Sequence, residues 1–329
     1  MVFTERSSGQ KGSVRKIMAK VLISERMHPV AEEVLREAGH EVVWMPSIEM
    51  DVFREYIKDC DALLNRILPV TAEMMASNPK LKIISKHGVG IDNFDLEAAK
   101  EQGIMITTAP GANSQSVAEH SFALMIALAK NLIPISSGYC EVGFGIKNTC
   151  EGVELMGKTI GIIGCGRIGS RMAKMCRNGF DMRVLVYDPY ITDVPEGCEL
   201  TSDRDRIFRE ADFVSLHCYL SEETRNCVGE HEFSIMKPSC ILVNCARGPV
   251  VDEPAMIKAL QEKRLAGAGL DVTWDEPLPK ESPLFAMDNV ICTPHYAPTT
   301  HDAAYNVARM AAENIANYFA GKPVVGRVV

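Results

Sequence analysis

The chain alternates twice between short apolar runs and longer amphipathic stretches. Strand-like runs fall at 20–24, 41–45, 61–65, 82–85 and 104–107. A second series lies near 158–163, 183–188, 212–217, 240–244, 266–271 and 289–293. Between them apolar residues recur at helical spacing, as in Val30, Ala31, Val34, Leu35 and Ala38. Two successive alternations of this kind predict an α/β fold with two open parallel sheets, each flanked by helices. One apolar helix over 116–133, with Pro110-Gly111 before it and Pro134 after it, joins the two series. Another, over 299–320, follows the last strand and stops at Gly321. Asp252 reads as an N-cap, with Pro254 in the first turn behind it. The last helix is expected to return to the first unit. The division is then discontinuous: residues 1–111 and 300–329 form one domain and residues 112–299 the other.

The second series opens on a glycine-rich turn. Gly164, Gly166 and Gly169 form Gly-x-Gly-x-x-Gly, directly after an apolar strand over Lys158–Ile163. A helix follows, with Ile168, Met172, Met175 and Cys176 on one face. A second strand then ends in Asp188, 19 residues past the last glycine. This is the order of a dinucleotide-binding βαβ unit. Gly164 permits the tight turn, Gly166 lacks the Cβ that would block a pyrophosphate, and Gly169 lets helix and strand pack closely. The helix N-terminus offers free N–H groups to the phosphates. Asp188 can accept from both hydroxyls of an adenosine ribose and would repel a 2′-phosphate. Pro189-Tyr190 add no cation to offset that repulsion, so NAD is expected rather than NADP.

Composition narrows the class. The chain has 329 residues, 47% hydrophobic and 24% charged, as in an ordinary soluble protein of about two domains. A net charge of −8 with no basic stripe argues against a nucleic-acid partner. No run has transmembrane length, and no membrane partner is expected. Eleven cysteines are scattered singly, with no Cys-x-x-Cys, and predict reduced thiols in a cytoplasmic enzyme. Cys240 and Cys292 read as buried small hydrophobes. Residues 1–17 lack a signal-peptide core. They read as a loosely held extension, or as an upstream start where Met18 is the natural one. No His/Cys/carboxylate spacing suggests a metal site.

Ligands in doubly wound sheets sit beyond the carboxyl ends of the strands. There the second series carries Asn244-Cys245-Ala246-Arg247-Gly248-Pro249, then Asp271-Val272-Thr273-Trp274-Asp275-Glu276-Pro277, then Thr293-Pro294-His295. An arginine, a carboxylate and a histidine are thus expected on one face. His217, at the end of another strand, reads as a lining residue rather than an acid–base group. His28 and His231 read as surface residues.

These stretches resemble the D-isomer-specific 2-hydroxyacid dehydrogenases, nearest to the D-3-phosphoglycerate dehydrogenase branch. The resemblance runs from about Val21 to the C-terminus. It includes Lys86-His87-Gly88-Val89-Gly90-Ile91-Asp92-Asn93 and Val117-Ala118-Glu119-His120. It implies a Rossmann cofactor domain inserted in a flavodoxin-like substrate domain, with the active site in the cleft between them. The family's catalytic trio falls on Arg247, Glu276 and His295. A planar guanidinium suits a 2-oxo carboxylate. An imidazolium can donate the proton that makes the hydroxyl, and a carboxylate behind it orients the ring. Asp275 is the direct competitor of Glu276. The resemblance further implicates Arg167, Ile168, Pro189, His217, Cys218, Cys245, Ala246, Asp271 and Val89 at the cofactor. Asp271 is expected to accept from the carboxamide. Arg66, Lys86, Val89 and Gly90 are implicated at the substrate, with Val89 and Gly90 offering backbone N–H groups.

The expected partner is a small anionic 2-hydroxy or 2-oxo acid such as 3-phosphoglycerate, hydroxypyruvate or glyoxylate. Homodimerisation through 116–133 and 139–153 is also implied. No regulatory extension is expected after residue 329. The competing reading is an NAD-sensing corepressor-like binding protein of the same fold. Formate dehydrogenases are disfavoured, because in that family a glutamine occupies the position matching Glu276. Tyr219 stands where the family usually has proline.

Overall fold

The computed structural model describes residues 18–329, and the extension expected over 1–17 lies outside the described residues. The chain divides into two compact units. One comprises the described residues through Ala112 together with His301–Val329, and the other Asn113–Thr300.

The first unit is built on β1 (Lys20–Ile23), β2 (Glu41–Trp44), β3 (Ala62–Asn65), β4 (Ile83–Lys86) and β5 (Met105–Thr107). They are paired in parallel in the order β2-β1-β3-β4-β5. This is the flavodoxin-like order, and its direction reverses between β1 and β3. Both faces are covered, so residues pointing either way are apolar. Leu22, Leu63 and Ile84 meet Phe53, Ile57, Met74 and Met75 on one face. Val21, Ile23, Leu64 and Ile83 meet Leu35 and the Ala308, Ala311, Ala312 and Ile315 stripe of helix His301–Phe319 on the other. The long final helix therefore belongs to the first sheet.

The second unit contains β6 (Thr159–Ile163), β7 (Arg183–Tyr187), β8 (Glu199–Leu200), β9 (Phe213–Leu216), β10 (Ile241–Asn244), β11 (Gly267–Leu270) and β12 (Val290–Cys292). Their order is β12-β11-β10-β9-β6-β7-β8, again parallel throughout. The reversal falls at β6, as in a Rossmann sheet. Neighbouring residues on a strand serve opposite cores. Ile162 packs with Met172 and Cys176, while Ile163 packs with Phe208 and Phe233.

Two expectations about elements change. The helix expected over 116–133 is two helices, Ser114–Ala129 and Leu132–Val142. Asn131, at φ 50°, turns the chain left-handed between them. Asparagine tolerates that conformation better than most residues. Pro134 falls in the first turn of the second helix, where its missing N–H costs nothing, so it starts a helix rather than stopping one. The two-residue β8 has no counterpart among the expected strands. Among the described residues no single helix is long and apolar enough to cross a membrane, although the bent pair Ser114–Ala129 and Leu132–Asn148 has the combined length and composition.

Candidate active site

In the second unit the glycine turn is shaped by contacts that no side chain could share. Gly164 has φ 88°, and a Cβ there would lie 2.7 Å from the Cys218 amide nitrogen. A Cβ on Gly169 would lie 2.1 Å from the Gly164 carbonyl oxygen. A Cβ on Gly166 would meet nothing within 4 Å. The turn is therefore close-packed behind and open in front, with Arg167 exposed and Ile168 half-buried at the start of helix Gly169–Phe180. The Asp188 carboxylate accepts from the Cys165 N–H at 2.8 Å and the Tyr190 N–H at 3.0 Å, which fixes it at the end of β7 beside the turn. Pro189 is exposed next to it. These features fit a dinucleotide: space for a pyrophosphate at Gly166 and an oriented carboxylate for a ribose.

His217 ends β9. Its Nε2 lies 2.9 Å from Ser215 Oγ, while Nδ1 is shielded and has no hydrogen-bond partner among the described residues. Burial pushes its pKa down to about 4, so the ring is neutral near pH 7. Cys218 follows, half-buried against the glycine turn.

After β10, the buried Asn244 side chain forms the turn that presents Arg247. Its Oδ1 accepts from the Ala246 N–H at 3.0 Å, and its Nδ2 donates to the Arg247 carbonyl at 2.9 Å. Cys245 is buried, and burial pushes its thiol up to about 12. Ala246 is buried and its carbonyl accepts from the Arg247 guanidinium at 2.7 Å. Gly248 explains how this loop meets the next one. A Cβ on it would stand 1.9 Å from the Thr273 carbonyl oxygen, so only glycine allows the loops after β10 and β11 to touch. Trp274 ties them further, through Nε1 to the Val251 carbonyl at 2.7 Å.

The loop after β11 carries Glu276 and the loop after β12 carries His295. Glu276 Oε2 lies 2.9 Å from His295 Nδ1. Glu276, not Asp275, is thus the partner of the imidazole. Nε2 of His295 is the ring nitrogen that Glu276 does not engage. Both side chains are partly exposed, at 43% and 45%.

Asp271 holds this arrangement together. It is 1% exposed. Its Oδ1 accepts from Thr293 Oγ1 at 2.5 Å and the Tyr296 N–H at 2.7 Å, and its Oδ2 from the Ala297 N–H at 2.9 Å. His120, on helix Ser114–Ala129, places Nε2 3.0 Å from Thr293 Oγ1 and 3.4 Å from Asp271 Oδ1. Burial alone would raise the Asp271 pKa. The hydrogen bonds from His120, Thr293 and the Ala297 and Tyr296 amides outweigh it and hold the carboxyl below its ordinary value. The sequence quoted His120 as part of a motif but gave it no role.

In the first unit, the residues expected at a substrate lie at or just beyond the carboxyl ends of β3 and β4. Arg66 is exposed. Its backbone is clamped by Glu25, a residue the sequence reading passed over. Glu25 is 7% exposed and accepts from the N–H groups of Arg66, Ile67 and Leu68 at 2.9, 2.8 and 3.0 Å. An acid directly after the strand at the sheet's reversal point was the available signal. Lys86 departs from the expectation of an anion contact. It is 8% exposed, its ammonium bonds the Arg66 carbonyl, and it lies 5.3 Å from the Phe94 ring centre. Burial thus turns it towards bracing Arg66. Val89 and Gly90 are half-buried, and their N–H groups have no backbone acceptor among the described residues.

Two smaller expectations are corrected. His28 is half-buried rather than a surface residue, edge-on to Tyr305 at 5.2 Å. Cys292 is only partly buried. Among the described residues Asp205, His231 and Glu232 do bring ligand-type atoms within 4.8 Å. Those carboxylates are already engaged, Glu232 with Arg204 at 2.6 Å and Asp205 with His231 at 3.0 Å.

Comparison with known proteins agrees with this architecture. Residues 122–297 match the D-isomer specific 2-hydroxyacid dehydrogenase, NAD binding domain. The chain is 40% identical over 309 residues to a D-3-phosphoglycerate dehydrogenase of Methanocaldococcus jannaschii, covering 93% of this chain and 58% of that protein. It is 39% identical over 279 residues to a glyoxylate reductase of Korarchaeum cryptofilum, covering 82% of this chain and 83% of the relative. The chain thus spans little more than half the length of the phosphoglycerate dehydrogenases it matches. The crystal structure of the TT0316 protein from Thermus thermophilus superposes with a TM-score of 0.87 at 33% identity, covering 94% of this chain and all of that one. The chain belongs to the D-isomer specific 2-hydroxyacid dehydrogenase family.

Proposed function

We propose that this chain is an NAD-dependent dehydrogenase of small D-2-hydroxy acids, working as a 2-oxoacid reductase or its reverse. The 2.9 Å contact between His295 Nδ1 and Glu276 at the carboxyl end of a Rossmann sheet carries the reading. It gives the imidazole a carboxylate on one nitrogen and leaves the other for a substrate oxygen.

The residues that would hold NAD are the glycine turn, Arg167, Ile168, Asp188, Pro189 and the His217–Cys218 end of β9, with Cys245, Ala246 and Asp271 at the nicotinamide end. Bound there, the nicotinamide supplies or accepts hydride at C2 of the acid. Arg247 holds the substrate carboxylate and polarises the adjacent carbonyl. His295 delivers a proton to the carbonyl oxygen from Nε2 in reduction and removes it in oxidation. Glu276 orients the ring and stabilises its protonated form. Arg66, with the N–H groups of Val89 and Gly90, receives the anionic parts of the acid. The preferred substrates are 3-phosphoglycerate, hydroxypyruvate and glyoxylate. Of these only 3-phosphoglycerate brings a second anion for Arg66, while glyoxylate and hydroxypyruvate need only the small carbonyl site; two of the three match the names of the relatives above.

Two further assignments go with this reading. The molecule is a homodimer, supported by helix Leu132–Val142, which has no buried residue, and by exposed Phe144 and Met156 beyond it. The enzyme is cytoplasmic, supported by its free thiols.

The test is a panel of 2-oxoacids with NADH, followed by loss of NADH absorbance. Glyoxylate, hydroxypyruvate or the 2-oxo acid formed by oxidising 3-phosphoglycerate at C2 should give the highest kcat/KM. Arg247→Ala should lower turnover by about 10²-fold or more, the scale of losing a positioned electrostatic group. NADH binding should largely persist. Wild-type turnover in Arg247→Ala would sink the mechanism. NADH binding without oxidation by any acid would instead favour the NAD-sensing reading.

A further inference from the structure

The second sheet runs β9-β6-β7, so the glycine turn after β6 lies between the loops after β7 and β9. A side-chain contact joins those two loops. Tyr190, two residues past Asp188, donates from Oη to the Glu223 carboxylate at 3.1 Å. Each end of this contact has a fixed backbone. The Tyr190 N–H donates to Asp188 Oδ1 at 3.0 Å. Glu223 sits in a closed turn: Thr224 Oγ1 accepts from the Ser221 N–H at 2.7 Å and donates to the Tyr219 carbonyl at 2.6 Å, and the Arg225 N–H donates to the Ser221 carbonyl at 2.9 Å. The start of the same loop bears on the glycine turn, where a Cβ on Gly164 would lie 2.7 Å from the Cys218 nitrogen.

Held in this way, the Tyr190 ring is still open to water. At 81% it is the most exposed large apolar side chain among the described residues. Its bond to Glu223 pushes the phenol pKa above the ordinary value, so the hydroxyl stays a donor at neutral pH. Pinning a side chain costs rotamer freedom, and leaving its ring in water forgoes the gain from burying it. Both costs are recovered when a second flat ring packs on the first. A ring already pinned loses little more freedom on binding, and stacking takes its apolar face out of water. Tyr219, 79% exposed on the opposite loop, is the competing platform, but among the described residues no hydrogen bond holds its hydroxyl.

The position of Tyr190 selects the flat ring it meets. Asp188 is the acid assigned to the adenosine ribose, and adenine is bonded to that same sugar. Residue 190 is anchored on the Asp188 carboxylate itself. We propose that Tyr190 is the stacking residue for the adenine of the dinucleotide, and that Glu223 is the positioning residue that holds its ring there from the loop after β9. This role rests on the assignment of Asp188 to the ribose, so the experiment separates the two.

The full chain is titrated with three ligands. Kd is read by fluorescence for NADH and for reduced nicotinamide mononucleotide, which lacks the adenosine, and by calorimetry for ADP-ribose, which lacks the nicotinamide. Tyr190→Ala should raise Kd for NADH and ADP-ribose about tenfold, the scale of one base–aromatic stack, and leave the mononucleotide unchanged. Tyr190→Phe and Glu223→Ala should each raise the same two values several-fold, because the ring remains but is no longer held. Glu223→Gln should bind like the wild type, since its amide oxygen still accepts from the phenol. The thermal midpoint should stay within about 2 °C throughout, as for ordinary surface substitutions.

Equal loss of affinity for all three ligands would mark a disturbed loop and overturn the proposal. Wild-type affinities in Tyr190→Ala or in Glu223→Ala would also overturn it, as would a loss confined to Tyr219→Ala. If Asp188→Ala weakens NADH binding while Tyr190→Ala does not, the stacking role falls and the cofactor assignment stands. If the wild-type chain binds neither NADH nor ADP-ribose, both fall.

Discussion

Asp271→Asn separates the charge of this side chain from its shape. The carboxylate is 1% exposed and accepts from the Thr293 hydroxyl and the Tyr296 and Ala297 amides, at 2.5, 2.7 and 2.9 Å. An asparagine of the same size has one acceptor oxygen. If that oxygen keeps Thr293 and Tyr296, its amide faces the Ala297 N–H, donor against donor. A hydrogen bond to a charged group contributes about 1.5–3 kcal/mol, and a buried donor left unpaired costs about 1–3 kcal/mol. Some relaxation of the loop follows, so the expected loss is about 2–4 kcal/mol. The measurement is urea unfolding followed by Trp274 fluorescence in a Trp44→Phe background, which leaves one tryptophan, in the unit concerned. The pH dependence has a definite sign. The folded pKa lies below the ordinary 3.8, so the contribution of Asp271 is complete above that value and is lost as pH falls through the lower folded one. The wild-type advantage should therefore be constant from neutral pH down to about 5 and shrink only in stronger acid. The same variant should lower kcat, because the loop it loosens carries His295. Stability within about 0.5 kcal/mol of wild type, the range of an ordinary surface substitution, would refute the idea that this carboxylate organises the loop.

The remaining predictions concern other groups. His217 has a pKa lowered to about 4 from 6.5, so its neutral form is favoured by folding. Stability should be complete above pH 6.5 and fall by roughly 3 kcal/mol towards pH 4, and His217→Gln should flatten that part of a thermal-midpoint profile. Asp188→Ala should cut kcat/KM for NADH by roughly 10–100-fold, through loss of charged hydrogen bonds to the ribose, and should narrow the gap to NADPH. Unchanged selectivity in steady-state kinetics would remove Asp188 from the cofactor site. Phe144→Glu, at a side chain 72% exposed, should shift the mass in light scattering from dimer to monomer.

Local pattern carried most of the architecture. Strands buried on both faces are continuous apolar runs, and the expected runs contain ten of the twelve observed strands and overlap an eleventh, Ile83–Lys86. The exception, Glu199–Leu200, is too short for any pattern. The Asn131 break was hidden because apolar residues continue through it on both sides, and a left-handed asparagine leaves no period behind. At the candidate site the groups proposed to react were legible, since Arg247, Glu276 and His295 each follow a strand in a recognisable run. The supporting groups were not. Glu25 clamps a segment some 40 residues away, and Lys86 bonds the Arg66 carbonyl. Such pairings depend on strand order, which a sequence states only through topology.

The loop after β12 shows why the supporting groups matter as much as the reacting ones. His295 has φ 52°, a left-handed conformation that costs a residue with a Cβ about 1 kcal/mol or more. Glycine would adopt it freely but has no imidazole. The strain is therefore tied to the imidazole that the proposed function needs at this position. Its N–H donates to the Asp271 and Thr293 carbonyls at 2.8 and 3.0 Å, and the next two amides go to the Asp271 carboxylate. Asp271 thus fixes three consecutive residues through its backbone and side chain together, and Thr293 with His120 fixes Asp271. From this fixed backbone the ring places Nδ1 2.9 Å from Glu276. The backbone that carries the imidazole is placed by a buried carboxylate that touches neither of its nitrogens, and Glu276 meets the ring itself.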